Sequence, residues 1–138
     1  MPKSKLTSHL PRGLAVAALC LAVATPALAL DLNDFRREHH LPPLHVSAAM
    51  IAAAYEHAHE LAAREDLDHD GFEQRMAGSS RAAENVAYGC RTRDCVFRMW
   101  ARSPGHRRNM LMKGLTHYGL ASARGANGQT YWVLEMGN

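Results

Sequence analysis

The chain has 138 residues and a mass of 15.2 kDa, with 47% hydrophobic and 21% charged residues. This composition is typical of one globular domain and excludes a disordered or collagen-like chain. The net charge of +3 and the pI of 9.0 would suit a nucleic-acid partner, but Lys3, Lys5 and Arg12 supply the whole excess. The remaining chain carries 13 basic and 13 acidic residues, so we expect no nucleic-acid binding.

The first 29 residues have the pattern of a secretory signal peptide. The three basic residues are followed by an apolar run over Leu14–Val23 and by the small-x-small triplet Ala27–Ala29. The apolar run is too short to cross a bilayer comfortably, so we expect no membrane span. We predict cleavage after Ala29, a single domain over residues 30–138, and a secreted or periplasmic location.

Two cysteines, Cys90 and Cys95, remain after the predicted cleavage. An even pair in an oxidising compartment favours a disulfide. The alternative is a pair of zinc thiolates, but the C-x4-C spacing is unusual for zinc and there is no second cysteine pair.

The first part of the domain is predicted to be helical. A short helix over Leu32–His39 ends before a Leu-Pro-Pro segment, because proline disfavours helical geometry in the residue before it. Ser47 is suited to cap a long helix that runs to about Arg64. On this helix His57 shares the apolar face, whereas His59 points away from it.

Shorter elements follow the long helix. The predicted elements are one helical turn, an extended segment and two helices, namely Phe72–Met76, Glu84–Tyr88, Cys95–Arg102 and Pro104–Met112. Asp94 and Ser103 are predicted to cap the two helices, and proline after Ser103 suits a first helical position. Trp100 is predicted to lie in the core.

The end of the chain is predicted to form an antiparallel hairpin. Asn127-Gly128 is a strong turn signal, and Tyr131–Leu134 has the composition of a strand. Helices come first and strands last, which indicates an α+β fold rather than repeated βαβ units.

Familiar motifs of chemistry are incomplete or missing. Asp66–Gly71 begins like a calcium-binding EF-hand loop, but Ala77 stands where a bidentate glutamate is required and Glu73 where an apolar residue is usual. We therefore favour a solvated acidic turn. The chain also lacks H-E-x-x-H, G-x-S-x-G and phosphate-binding signatures.

Three dispersed residues remain as candidates for a site: His69, Glu84 and His106. Two imidazoles and a carboxylate with an open fourth position would suit Zn²⁺ or another divalent metal, and the same groups could act as general acid and base without a metal. Structural roles are the alternative. His106 could hydrogen-bond at a helix start, and Glu84 could be a buried carboxylate that holds backbone N–H groups.

The sequence resembles the CAP superfamily of cysteine-rich secretory proteins, antigen 5 and pathogenesis-related proteins, also called SCP-like domains, and its bacterial branch in particular. The E-N-[VI]-A and W-x-x-S-P-G-H-x-x-N-[IM]-L blocks carry the resemblance in combination. The matching segments, which span most of residues 30–138 in the right order, are Phe35–Leu44, Leu67–Phe72, Ala83–Gly89, Trp100–Leu111, Tyr118–Ala121 and Tyr131–Trp132.

The resemblance implies an α-β-α sandwich with helices on both faces of a central antiparallel sheet. It also implies a cleft with a His/Glu tetrad that binds a divalent metal in some members. His69, Glu84 and His106 match cleft positions, whereas Ser103 stands where eukaryotic members have a second glutamate. Glu135 is one residue past a glutamine of the bacterial pattern. Because a one-residue step reverses the face of a strand residue, we predict that Glu135 does not replace it.

The resemblance leaves the biochemistry open, because a fold does not determine a function. Our leading interpretation is a monomeric, non-catalytic binding module outside the cytoplasm, with a lipid, sterol or cell-envelope component as ligand. The alternatives are a metal-dependent hydrolase of the protease or esterase type, using His69, Glu84 and His106, and a structural envelope protein.

Overall fold

The computed structural model describes residues 30–138, so the predicted signal peptide lies outside the described residues. Five helices and four strands follow in the order α1 Leu32–Glu38, β1 His45–Val46, α2 Ala48–Arg64, α3 Phe72–Arg75, β2 Ala82–Tyr88, α4 Arg93–Arg102, α5 Pro104–Met110, β3 His117–Arg124 and β4 Thr130–Gly137. Within this part of the chain, no helix is both long and apolar enough to span a membrane.

The four strands form one sheet in the order β1-β3-β4-β2. Strands β2, β4 and β3 are antiparallel neighbours, and the predicted hairpin is the β3–β4 pair. Its connection runs through Gly128, which adopts a positive φ of 78° that favours glycine. Strand β1 differs from the expected antiparallel arrangement, because its two residues pair in parallel with the start of β3.

Helix α2 covers one face of the sheet. Ala54, Ala58 and Leu61 pack there against Tyr131 and Val133 of β4. The contact is close at the start of α2, where a Cβ atom on Gly119 would come within 2.2 Å of backbone atoms of the helix. Glycine is therefore required at that point of β3, because any side chain would push α2 away.

The opposite face of the sheet packs against α1, α4 and α5. Trp100 is fully buried there, as predicted, and its indole N–H donates to the Val86 carbonyl at 3.4 Å. Buried Arg36 on α1 donates to the carbonyls of Met110 and Met112 at 2.8 and 3.1 Å, which ties α1 to the end of α5. Helices on both faces of a central sheet confirm the predicted α+β sandwich.

Helices α1 and α3 each end one residue earlier than predicted, and the boundaries of α4 and α5 differ by two residues. Thr92, not Asp94, caps α4 by accepting a hydrogen bond from the Cys95 N–H at 3.2 Å. Asp94 lies in the first turn instead, where it accepts from Arg98 at 3.0 Å. Helix α5 ends at Met110 rather than near residue 112. Sequence patterns place element ends less accurately than elements, because several neighbouring polar residues can serve as a cap.

The predicted disulfide between Cys90 and Cys95 is confirmed, with the two Cα atoms 5.5 Å apart. It joins the end of β2 to the first turn of α4. Cys90 is buried, and its carbonyl accepts a hydrogen bond from the Trp132 indole at 2.8 Å. The bond therefore closes a short loop against the core.

Candidate functional site

Two buried carboxyl groups face each other across the sheet. Glu84 on β2 is paired with Glu135 on β4, and directly paired residues point to the same face. Both are buried, and the face is the one that α2 covers. We expected Glu135 not to replace the glutamine of the bacterial pattern, because a one-residue step would turn its side chain to the other face. The structure instead places Glu135 beside Glu84, because the pairing of β4 with β2 sets its direction.

Arg75, at the end of α3, joins the two carboxyl groups. Its Nε donates to Glu135 Oε1 at 2.8 Å, and its Nη2 donates to Glu84 Oε2. Its Nη1 donates to the carbonyl of Asp70 at 2.5 Å, which holds the preceding turn. The sequence interpretation missed Arg75, since a single arginine in a short helical turn carries no pattern that separates it from a surface residue.

The two glutamates are in different protonation states near neutral pH. Burial, and then the hydrogen bond and charge of Glu84, raise the pKa of Glu135 to about 8. Burial also raises the pKa of Glu84, but hydrogen bonds from Glu135, His69 and Arg75 outweigh it and bring the pKa below its usual value. Glu135 Oε2 is buried and accepts no hydrogen bond from a donor among the described residues, so it is the oxygen that suits a proton shared with Glu84.

His69 lies at the outer side of the carboxyl pair. Its Nδ1 is 2.5 Å from Glu84 Oε1, and its side chain is 55% exposed. His57 on α2 is fully buried beneath it, as the face of that helix predicts, and its Nε2 donates to the Asp68 carbonyl at 3.1 Å. His57 therefore supports the turn that carries His69, while His69 reaches solvent.

His106 reaches the same region from α5. Its Nδ1 is 3.0 Å from the Ser103 hydroxyl, which is the helix-start contact that the structural alternative predicts. Burial, and then the charge of nearby His69, lower the pKa of His106. Asn109 fixes α5 against β2 by donating to the Glu84 carbonyl at 3.0 Å and to Asn85 Oδ1 at 2.9 Å.

The structural alternative for Glu84 is only half right. The carboxylate is buried, but side chains of His69 and Arg75 bind it rather than backbone N–H groups. Both of its oxygens are therefore engaged within the protein. In contrast, the described residues offer no hydrogen-bond partner to Nε2 of His69 or of His106.

A divalent metal does not fit the three candidate residues as they stand. Glu84 is occupied by His69 and by the positive charge of Arg75, so only two imidazole nitrogens remain, and zinc sites in proteins use three or four protein ligands. Among residues 30–138, no three histidine, cysteine or acidic side chains form a group that could hold a metal ion. Metal binding by His69, Glu84 and His106 stays a prediction.

Asp68, in the turn before α3, is held by contacts within the protein. Asp68 Oδ1 accepts from the backbone N–H of Asp70 at 3.0 Å, and Asp68 Oδ2 pairs with Arg64 at 2.7 Å. Two cavities meet at Asp70 and Gly71: one of about 640 Å³ beside His57 and Arg75, and one of about 380 Å³ beside His69. The turn thus forms part of the wall of both cavities.

The fold agrees with the comparisons to known proteins. The sequence model of the cysteine-rich secretory protein family, CAP, matches residues 31–136. The chain belongs to this family. It is 27% identical over 97 residues to the uncharacterized protein YkwD of Bacillus subtilis, an alignment that covers 64% of this chain and 38% of YkwD. The chain thus spans well under half of that relative.

Solved structures show the same fold. An outer surface protein of Borrelia burgdorferi matches with a TM-score of 0.70 at 19% identity, covering 78% of this chain and 86% of that one. An extracellular protein with an SCP domain from Bacillus anthracis matches with a TM-score of 0.64 at 22% identity, over 75% and 37% of the two chains. A cysteine-rich secretory protein of Staphylococcus aureus matches with a TM-score of 0.63 at 18% identity, over 75% and 35%.

Proposed function

We propose that this chain acts outside the cytoplasm as a non-catalytic binding module. Its ligand would be a hydroxyl-bearing component of the cell envelope, either a lipid or sterol or a wall polymer, held at His69 and His106. The location is supported by the signal-like pattern of residues 1–29 and by structural neighbours described as outer surface, extracellular and secretory proteins.

The availability of the imidazoles carries this proposal. The acidic groups of the site are engaged by Arg75 and by one another, whereas Nε2 of His69 and of His106 has no described protein partner. An imidazole nitrogen can donate or accept a hydrogen bond according to its tautomer. Two neighbouring rings can therefore bind hydroxyl groups without a metal.

The test is binding of the disulfide-bonded protein, residues 30–138, to two kinds of envelope material. One arm uses insoluble cell-wall polymer, and the other uses vesicles of phosphatidylethanolamine and phosphatidylglycerol with and without added sterol. We expect binding in one arm, lost in the His69→Ala/His106→Ala variant and kept in His59→Ala, which changes an exposed histidine away from the site. Equal binding by the double variant would mean that His69 and His106 do not hold the ligand. This result would favour the interpretation as a structural envelope protein.

A hydrolase is the second candidate, because one contact favours it. The 2.5 Å contact between His69 Nδ1 and Glu84 Oε1 orients the ring as a carboxylate orients a catalytic base, with Nε2 directed outward. A panel of peptide and ester substrates, with and without added Zn²⁺, separates the two proposals. Turnover abolished by His69→Ala would replace the binding module with a hydrolase.

Calorimetric titration of Zn²⁺ near pH 7.5 tests the predicted metal separately. One-to-one binding in the micromolar range, lost in His69→Ala/His106→Ala, would support a metal in the cleft. If the folded protein binds no Zn²⁺, the result would agree with the contacts of Glu84 to His69 and Arg75, which leave it unavailable as a ligand.

A further inference from the structure

Strand β3 is longer than the strand beside it. β1 pairs with β3 only at His117 and Tyr118, and the chain then turns at Ser47 into α2. From Gly119 to Arg124, β3 is therefore an outer strand of the sheet. β2, which carries Glu84, is the other outer strand, so the two edges are separated by β4.

The backbone of this edge points outward at alternate residues. The Tyr118 carbonyl faces β1, because it accepts from the Ser47 N–H at 2.9 Å. Gly125 faces β4, because its N–H donates to the Gln129 carbonyl at 2.9 Å. Along a strand the backbone N–H and C=O groups point alternately to one side and the other. Those of Leu120 and Ser122 therefore point outward, as those of Tyr118 do. Among the backbone hydrogen bonds of residues 30–138 outside regular pairing, none uses Leu120 or Ser122.

An apolar groove of about 510 Å³ runs along this edge. Val46, Ile51 and Tyr55 line its outer wall, and these are among the few large apolar side chains that the described part of the protein exposes, at 63%, 39% and 54%. Leu120 and Trp132 also line it. Outer strands are commonly protected by a charged residue, a proline or a bulge. On this edge the last residue, Arg124, is charged, whereas residues 119–123 have no charge, no proline and no bulge.

We propose that the outer edge of β3 binds an extended peptide segment of another protein as an added strand. Main-chain donors and acceptors that alternate along an edge are matched by the backbone of an extended chain. The groove would accept apolar side chains at every second peptide position. This surface is independent of the cleft at His69.

Charge selects the peptide over a second copy of this chain. Among the described residues that line the groove, Arg93 is the one with a charge, and its side chain is 57% exposed with only a 3.9 Å contact to Asp31. An acidic residue in the peptide would complement it. Two copies joined edge to edge would bring Arg93 and Arg124 of each into one basic surface, which is unfavourable. A lipid chain would fill the groove but leave the backbone groups of Ser122 unpaired.

The experiment selects ten-residue peptides from a random display library on the disulfide-bonded protein, residues 30–138. Selected peptides are synthesised and titrated by NMR and calorimetry. We expect alternating apolar residues with at least one acidic residue, and amide shifts at Leu120, Ala121 and Ser122. The Ser122→Pro variant removes one outward N–H and should bind about tenfold more weakly or worse, whereas Ser122→Ala keeps it and should bind as the original does.

Two further variants keep the test decisive if Ser122→Pro does not fold. Tyr55→Ser removes an exposed part of the groove wall and should weaken binding several-fold, and Arg93→Gln should weaken only peptides with an acidic residue. The proposal is overturned if no peptide is enriched, if the shifts lie elsewhere, or if folded Ser122→Pro binds equally well. Dimerisation through β3, or vesicle binding that Tyr55→Ser abolishes and Ser122→Pro does not, would also overturn it.

Discussion

Glu135 should make the protein less stable as the pH rises. Burial, and then the hydrogen bond and charge of Glu84, raise its pKa from 4.5 to about 8. Between these pH values the folded protein holds a proton that the unfolded chain has lost. The contribution of Glu135 to stability is therefore complete below pH 4.5 and is lost as the pH rises through 8.

The size of the effect follows from the shift. Each pKa unit corresponds to roughly 1.4 kcal/mol, so the full shift would remove roughly 5 kcal/mol. Part of this change lies outside the range from pH 5 to 8.5, where we expect a loss of about 2–4 kcal/mol. Glu84 has a lowered pKa, so its contribution is lost only as the pH falls below its usual value of 4.5. His106 has a lowered pKa, so its contribution to the stability of the protein increases as the pH rises to 6.5. This change opposes the effect of Glu135.

The Glu135→Gln variant isolates the residue. Its amide is neutral at every pH, its oxygen can accept from Arg75 Nε, and its NH₂ can donate to Glu84. Urea denaturation of both proteins at pH 5, 6.5, 7.5 and 8.5 measures the difference and cancels the contribution of His106. We expect equal stability within about 1 kcal/mol at pH 5, and a variant that is about 2–4 kcal/mol more stable at pH 8.5.

Two outcomes would refute this reasoning. Parallel curves for the two proteins would mean that Glu135 does not change its protonation between pH 5 and 8.5. A variant that is less stable at high pH would mean that Glu135 is already ionised and contributes as an anion paired with Arg75.

Three further variants should change the free energy of unfolding, which urea denaturation at pH 7 measures. Arg75→Met leaves two buried carboxyl groups without their cation and should cost about 3–5 kcal/mol, and an unchanged stability would contradict the assigned contacts. Trp100→Ala removes a fully buried side chain and should cost about 3–5 kcal/mol, whereas Met99→Ala on the exposed side of α4 should cost below about 0.5 kcal/mol. Replacing Cys90 and Cys95 by serine should cost about 2 kcal/mol, because the disulfide closes a short loop, and a cost near zero would show that the loop is held by packing alone.

The family resemblance predicted some residues of the site correctly and others not. His69, Glu84 and His106 were placed by motif, and His69 and Glu84 are in contact, with His106 near enough for its pKa to respond to His69. Glu135 was misplaced, because its direction was inferred from a motif on its own strand. A motif does not contain the pairing of β4 with β2, and that pairing sets the face.

Local patterns in the sequence were sufficient to predict several elements of the fold. Residue periodicity predicted α2 and its buried His57, the Asn-Gly turn predicted the β3–β4 hairpin, and the cysteine pair predicted the disulfide, because these signals act between residues close in the chain. In contrast, the position of Arg75 between Glu84 and Glu135, which are 9 and 60 residues away from it, could not be predicted from such patterns. The same holds for the extension of β3 beyond β1, which leaves an open edge. Both depend on strand register and on loops whose paths are set by packing across the whole domain, which no local pattern encodes.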